Sequence, residues 1–155
     1  MKLKIGVFSF TCCEGCVVSF LEALNKKYFD WKEKLEIENI RVLKTQNEIK
    51  KLDIAFVEGA ISTESELKKL KEIRKKSKKI IAFGSGAING YPSNLRNNFS
   101  KDLKKEIEPL IKKFNQIKKV SPIKKFVKVD DEIEGCPVDE NSIIKKLEFY
   151  LKQNA

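Results

Sequence analysis

The chain has 155 residues, a formal net charge of +10 and no histidine. That length suits one domain with a core of its own, no apolar run is long enough to span a bilayer, and histidine-based nucleophile activation or zinc binding is excluded. The charge, 32 basic against 22 acidic residues, is mostly lysine on helical stretches without interleaved aromatics, which argues against nucleic acid and leaves an acidic protein partner open.

In chain order, Lys4-Ile5-Gly6-Val7-Phe8-Ser9-Phe10 reads as a strand buried on both faces, ending in the polar turn Thr11-Cys12-Cys13-Glu14-Gly15-Cys16. Val17, Phe20, Leu21, Leu24 and Tyr28 then recur at helical spacing, so Cys13 to Cys16 span the turn entering a helix, where free amides favour anions and thiolates. Residues 29–38 are charged and poorly periodic. Ile40-Arg41-Val42-Leu43 reads as a second strand and Asp53-Ile54-Ala55-Phe56-Val57 as a third, followed by Glu58-Gly59-Ala60-Ile61. Thr63 and Glu66 form a capping box opening a helix with Leu67, Leu70 and Ile73 facing inward.

Lys79-Ile80-Ile81-Ala82-Phe83 is a fourth strand, leading into a loop, Gly84-Ser85-Gly86-Ala87-Ile88-Asn89-Gly90-Tyr91-Pro92. Residues 103–114 are helix-like, with Pro109 expected to start or kink the helix, and 118–125 read as an extended connection. Phe126-Val127-Lys128-Val129 reads as a last strand, 133–137 as a loop, and Asp139 as the cap of a helix carrying Ile143, Ile144, Leu147 and Leu151. Alternating strands and helices predict a single α/β domain over 1–155, a flavodoxin-like three-layer sandwich with a mostly parallel sheet. Its site is expected at the carboxyl edge of the strands.

Three of the four cysteines, Cys12, Cys13 and Cys16, fall within five positions, and Cys136 follows far away in Gly135-Cys136-Pro137. Such crowding is an odd disulfide framework for a chain read as cytoplasmic, so metal or redox chemistry is favoured. A dithiol-disulfide site on Cys13 and Cys16 at a helix N-terminus is one reading, with a depressed thiol pKa. An iron-sulfur cluster uses all four thiols, and a Cys-Pro ligand is a known feature of such sites. Zinc stays open, although only one CxxC is present. Gly84, Gly86 and Gly90 lack the helix start and acidic residue of a nucleotide site, and are read as allowing close backbone approach to a cluster.

Ile5 to Cys16 with its helix, Phe56 to Ile61, Ile81 to Ala87 and Asp130 to Pro137 together resemble the small, electron-transferring subunit of nickel-iron hydrogenases and the related cluster-bearing subunit of respiratory complex I. Hydrogenase-type members use a pair spaced as Cys13 and Cys16, and complex-I-type members an adjacent pair placed as Cys12 and Cys13. Both end on the ligand matching Cys136. The third ligand of the family falls where this chain has Gly86.

The resemblance implies one 4Fe-4S cluster on Cys12, Cys13, Cys16 and Cys136, or else a three-iron, open-cornered or lost cluster because of Gly86. It gives Glu58 a place beside the site as proton relay or hydrogen-bond acceptor. It also implies a large catalytic subunit and a further electron carrier such as a ferredoxin as partners, with no direct membrane insertion. A cluster-free scaffold that docks a large subunit is the remaining alternative.

Overall fold

The computed structural model describes residues 1–43 and 48–154. Leu3–Ser9 forms β1, and five of its seven residues are buried because helices cover both faces of the strand. After it come α1 (Gly15–Lys26), a single turn α2 (Tyr28–Trp31), β2 (Leu35–Ile40), β3 (Leu52–Glu58), β4 (Ile61–Thr63) and α3 (Glu64–Lys76). The second half contains β5 (Ser77–Phe83), a short α4 (Ser85–Asn89), a 3-10 turn (Ser93–Asn98), α5 (Lys101–Lys113), β6 (Gln116–Ser121), a second 3-10 turn (Ile123–Lys125), β7 (Asp131–Ile133) and α6 (Glu140–Gln153).

Five strands form a parallel sheet in the order β2-β1-β3-β5-β7. With the short antiparallel pair β4-β6 set aside, that is the flavodoxin-like order of a doubly wound sheet. Leu3, Ile5 and Val7 of β1 point to the face covered by α1 and α6, joined there by Phe56 and Phe83. Phe8, Ala55, Val57, Ile80 and Ala82 point to the opposite face, against Leu70 and Ile73 of α3 and Ala87 and Ile88 of α4. The period-two side-chain alternation of each central strand thus serves two cores. Because β1, β3 and β5 run parallel, their carboxyl ends, Ser9, Glu58 and Phe83, open onto one edge.

Several expected boundaries move. The second strand is Leu35–Ile40, and Arg41, Val42 and Leu43 form an exposed turn. The charges in 35–40 concealed it: Glu36 and Glu38 pair with Lys4, and the buried Glu38 carboxylate also meets Lys50 at 3.2 Å, so the strand carries its charge at the sheet edge with partners. Tyr28 lies outside α1 and is exposed. The segment Ser85–Asn89, expected as loop, is a short helix, and 118–125 holds β6 and a 3-10 turn. Helix α5 starts from a Ser100 cap and runs through Pro109, so that proline does not begin it.

The last strand is Asp131–Ile133, not 126–129. Phe126, Val127 and Val129 pack on the second core as a bent approach, and pairing with β5 begins only where Asp130 arrives. The Asp130 carboxylate accepts from the Ile80 amide at 2.8 Å and from Arg74, whose guanidinium also donates to the carbonyls of Ser77, Lys78 and Lys128. One arginine at the end of α3 therefore fixes the start of β5 and the approach to β7.

Burial alone would raise the Asp130 carboxyl, but the hydrogen bonds from Arg74 and Ile80 and the arginine's charge outweigh it and hold it below the usual carboxylate range. A depressed folded pKa stabilises the protein above the unfolded value, about 3.9, and that contribution is lost as pH falls through the folded value. Arg74→Ala should cost about 1–2 kcal/mol at neutral pH, since it removes the shorter of the two ion pairs on Asp130, leaving Lys128 at 3.5 Å, and the arginine's hydrogen bonds to three carbonyls. In urea titrations the gap between wild type and Asp130→Asn should shrink as pH falls from about 5 towards 2.

Candidate metal centre

The site begins where β1 runs out. The Phe10 amide donates to the Glu58 carbonyl, and Thr11 exchanges both backbone hydrogen bonds with Ala60, so the two chains leave the sheet as a pair. The Thr11 hydroxyl is held by Glu66 at 2.9 Å and by Ser62. Glu66 also closes the capping box with Thr63, as the sequence predicts, and accepts from the Ser62 amide. The residue before Cys12 is thereby anchored to the first turn of α3.

Glycine is required where these strands of backbone cross. Gly59 has φ +90°, and a Cβ there would come within 2.9 Å of the Thr11 carbonyl oxygen and 3.1 Å of the Cys12 Cβ. Gly84, at φ +85°, is the second such point: a Cβ would stand 2.5 Å from the Cys16 sulfur. Gly86 packs against Gly59, a Cβ at position 86 lying 3.0 Å from the Gly59 Cα. Position 86 is thus separated from Cys12 by a single thickness of backbone.

Cys16 sits in the first turn of α1 and is 5% exposed, whereas Cys13 and Cys136 are exposed and Cys12 is half-buried. The turn is held down by Phe20, whose ring packs on Phe56 and Phe83 at 5.0 and 6.1 Å between centroids. On the far side, the Gly84 amide donates to the Ile133 carbonyl and the Ser85 amide to that of Gly135, which draws 133–137 up to the turn after β5. Gly15 lies between the Cys13 sulfur and the Pro137 ring, its Cβ position being 3.4 and 3.6 Å from them.

Glu58 stands between the cysteines. Buried at the end of β3, its carboxylate accepts from the Cys16 and Val17 amides, both at 3.2 Å, and so caps α1 from outside the helix. Burial pushes the Glu58 carboxyl up against the opposing pull of those two amides. Its charge bears on Cys12 and on Cys16, and Cys136 lies near enough to bear on Cys16, as Cys13 does on Cys12. Cys12, Cys13, Cys16 and Cys136 thus share one edge with Glu58 and Pro137.

This overturns one expectation. The amides entering α1 are not free for a thiolate, because Glu58 occupies them. Burial, added to by the Glu58 charge, pushes the Cys16 thiol up to about 12, and burial likewise pushes Cys12 up to about 12. A lowered thiol pKa at the helix start, the premise of the dithiol reading, is absent at Cys16. Gly59 and Gly135 are the participants that spacing did not single out, although each adjoins a residue that it did: Glu58 and Cys136.

Among the described residues, no three cysteine or carboxylate groups converge at the spacing of a single ion. Four thiols distributed around a rim suit a cluster better, since each iron corner takes its own thiolate.

The class that the fold defines is a doubly wound, five-stranded parallel α/β domain with cysteines at the carboxyl edge of its central strands. The chain belongs to the family described as NADH ubiquinone oxidoreductase, 20 Kd subunit, whose profile matches residues 13–149. It is 32% identical to the sulfhydrogenase 2 subunit delta of Pyrococcus furiosus, over 94% of this chain and 60% of the relative. It is 31% identical to one subunit of the F420-non-reducing hydrogenase vhu of Methanocaldococcus jannaschii, over 88% of this chain and 52% of the relative. The fold matches a subunit of an NAD+-reducing [NiFe]-hydrogenase with a TM-score of 0.86 at 22% identity, covering 99% of this chain and 93% of that one. The chain spans half to three-fifths of the length of these two curated relatives.

Gly84→Ala should cost about 1–3 kcal/mol through its positive φ and the collision with Cys16, read as a lowered urea midpoint. In the iron-free protein, iodoacetamide at neutral pH should label Cys13 and Cys136 quickly and leave Cys16 unmodified, as peptide mass spectrometry would show.

Proposed function

We propose that this chain is the electron-transfer subunit of a nickel-iron-hydrogenase-like oxidoreductase, holding one 4Fe-4S cluster on Cys12, Cys13, Cys16 and Cys136. The observation that carries the reading is the gathering of thiols: all four cysteines of the chain lie near Glu58 or Pro137 at one edge of the sheet. When bound, such a cluster supplies one-electron chemistry at a potential set by its surroundings.

The protein's part is to hold and shield. Gly84 and Gly59 leave room beside Cys16 and Cys12, Thr11 and Glu66 fix the strand end, and the Val138 amide is near enough to Cys16 to favour its charged form. That amide stabilises a thiolate, while Glu58 disfavours a bare one, so loading the site must release protons. Cys12 replaces the ligand that family members carry at position 86. The contacts of Gly86 on Gly59 and of Gly59 on Cys12 support this substitution, because they bring Cys12 next to the position left without a sulfur.

The relatives' names support a multi-subunit setting, in which a hydrogenase-like large subunit delivers or receives the electron and a carrier such as a ferredoxin continues the relay. The complex acts in the cytoplasm on this reading; among the described residues no helix is long and apolar enough to cross a membrane.

Anaerobically reconstituted protein should be brown with about four irons per chain. Cys12→Ala should lower the iron content to about three or fewer and alter the electron paramagnetic resonance spectrum of the reduced protein. An unchanged spectrum and iron count in that variant would remove Cys12 from the ligand set.

A further inference from the structure

The charge of the chain is not spread evenly. The excursion between β5 and β7, residues 91–128, carries eleven lysines and arginines against three carboxylates, a net +8 of the whole chain's +10. Within it lies α5, thirteen residues long, none of them buried. Its apolar residues nevertheless form one stripe: Leu103, Ile107, Leu110 and Ile111, continued by Phe114 just past its end, recur at the spacing of a single helix face. Leu103, Leu110 and Phe114 are 46%, 55% and 58% exposed. A helix this short is marginal in water, and in proteins its stability comes mostly from packing of the apolar face. Here Leu103, Leu110 and Phe114 are left to solvent, and Ile107 and Ile111 are only half-buried.

The excursion is nonetheless built as a definite surface. Asn97 exchanges two hydrogen bonds with the backbone of Val120, and Arg96 donates to the Ile117 carbonyl, tying the 3-10 turn at Ser93–Asn98 to β6. β6 in turn pairs with β4 beside the cysteine edge. Ile107 and Ile111 line a cleft of about 480 Å³ between α5 and β6, rimmed by Lys104, Lys105, Lys118 and Lys119. The Nε and Nη1 atoms of Arg96, which also lines it, are buried without a hydrogen-bond partner among the described residues.

We propose that the 91–128 excursion is the docking face for an acidic protein subunit of the same complex, which seats apolar side chains on the α5 stripe and carboxylates on the lysine rim. The inference rests on reading the chain as one subunit of a larger assembly. Charge selects the occupant. A second copy of this chain would set +8 against +8, and like charges across an interface are costly. An anionic lipid surface also attracts lysines, but it takes an amphipathic helix flat on its apolar face. The concave cleft and the carboxylates Asp102, Glu106 and Glu108 on the same helix suit a shaped partner better. With Phe114 as the one aromatic of the stripe, the face offers nucleic acid no series of rings on which successive bases could stack.

The test uses the complex isolated from its source organism through an affinity tag on this chain, with the co-purifying subunits identified, released by salt and returned to the free chain. An acidic subunit should slow amide hydrogen exchange across residues 101–114. Lys104→Glu combined with Lys105→Glu should weaken its binding about 10-fold or more at low salt, with the difference narrowing at high salt. Leu110→Ser, which leaves the charge unaltered, should weaken binding at all salt concentrations. These positions are exposed, so circular dichroism of the variants should match wild type.

Unchanged exchange over 101–114 in the complex, unaltered affinity of both variants, self-association through this face, or binding of α5 to phosphatidylglycerol vesicles in place of the subunit would each overturn the proposal. Iron content measured on the same samples separates the two readings. Docking without a cluster removes only the electron-transfer function, and a cluster without docking at α5 removes only this inference.

Discussion

The hydrogen bonds from the Cys16 and Val17 amides to the Glu58 carboxylate hold the site together, and they set a conflict inside it. A negative charge at a helix N-terminus is favourable, and burial makes those two bonds stronger than they would be in water. The same carboxylate raises the cost of ionising the sulfur beside it. Strand β3 and helix α1 are locked in place by a group that discourages free thiolates at Cys12 and Cys16.

Around that interaction the backbone is arranged for closeness. Phe20, Phe56 and Phe83 form a rigid floor directly beneath the turn, two of them near the ends of strands that lead into the site. Above the floor the strand ends pass one another at contact distances that only glycine allows at positions 59 and 84. The loop that carries Cys136 is drawn up beside Cys16 by ordinary amide-to-carbonyl bonds from Gly84 and Ser85. The framework is a doubly wound sheet with its functional groups outside the carboxyl ends of the central strands, where such sheets leave a crevice.

The parallel core was legible because Lys4 to Phe10, Asp53 to Val57 and Lys79 to Phe83 are apolar runs with turn residues behind them, and because Thr63 with Glu66 announces a helix start. The β2 strand was hidden by Glu36 and Glu38, whose charges look like loop until Lys4 and Lys50 are seen to neutralise them. The shift from Phe126 to Asp131 for the last strand depends on Arg74, fifty-six residues before Asp130, and no local pattern contains that contact. At the site, the spacing of Cys12, Cys13 and Cys16 was informative by itself. What it lacked was the third dimension: Glu58 across the helix start, and Gly59 between Cys12 and Gly86.

The two rims of the main sheet differ in kind. On one side β2 presents Glu36 and Glu38, neutralised by lysines, along its length. On the other side β7 offers only three residues before the chain turns away towards Cys136. Charged side chains and very short outer strands are two ways in which proteins prevent a neighbour from adding a strand. Among the described residues an added strand is thus disfavoured at both rims of the sheet, by paired charge along β2 and by the shortness of β7.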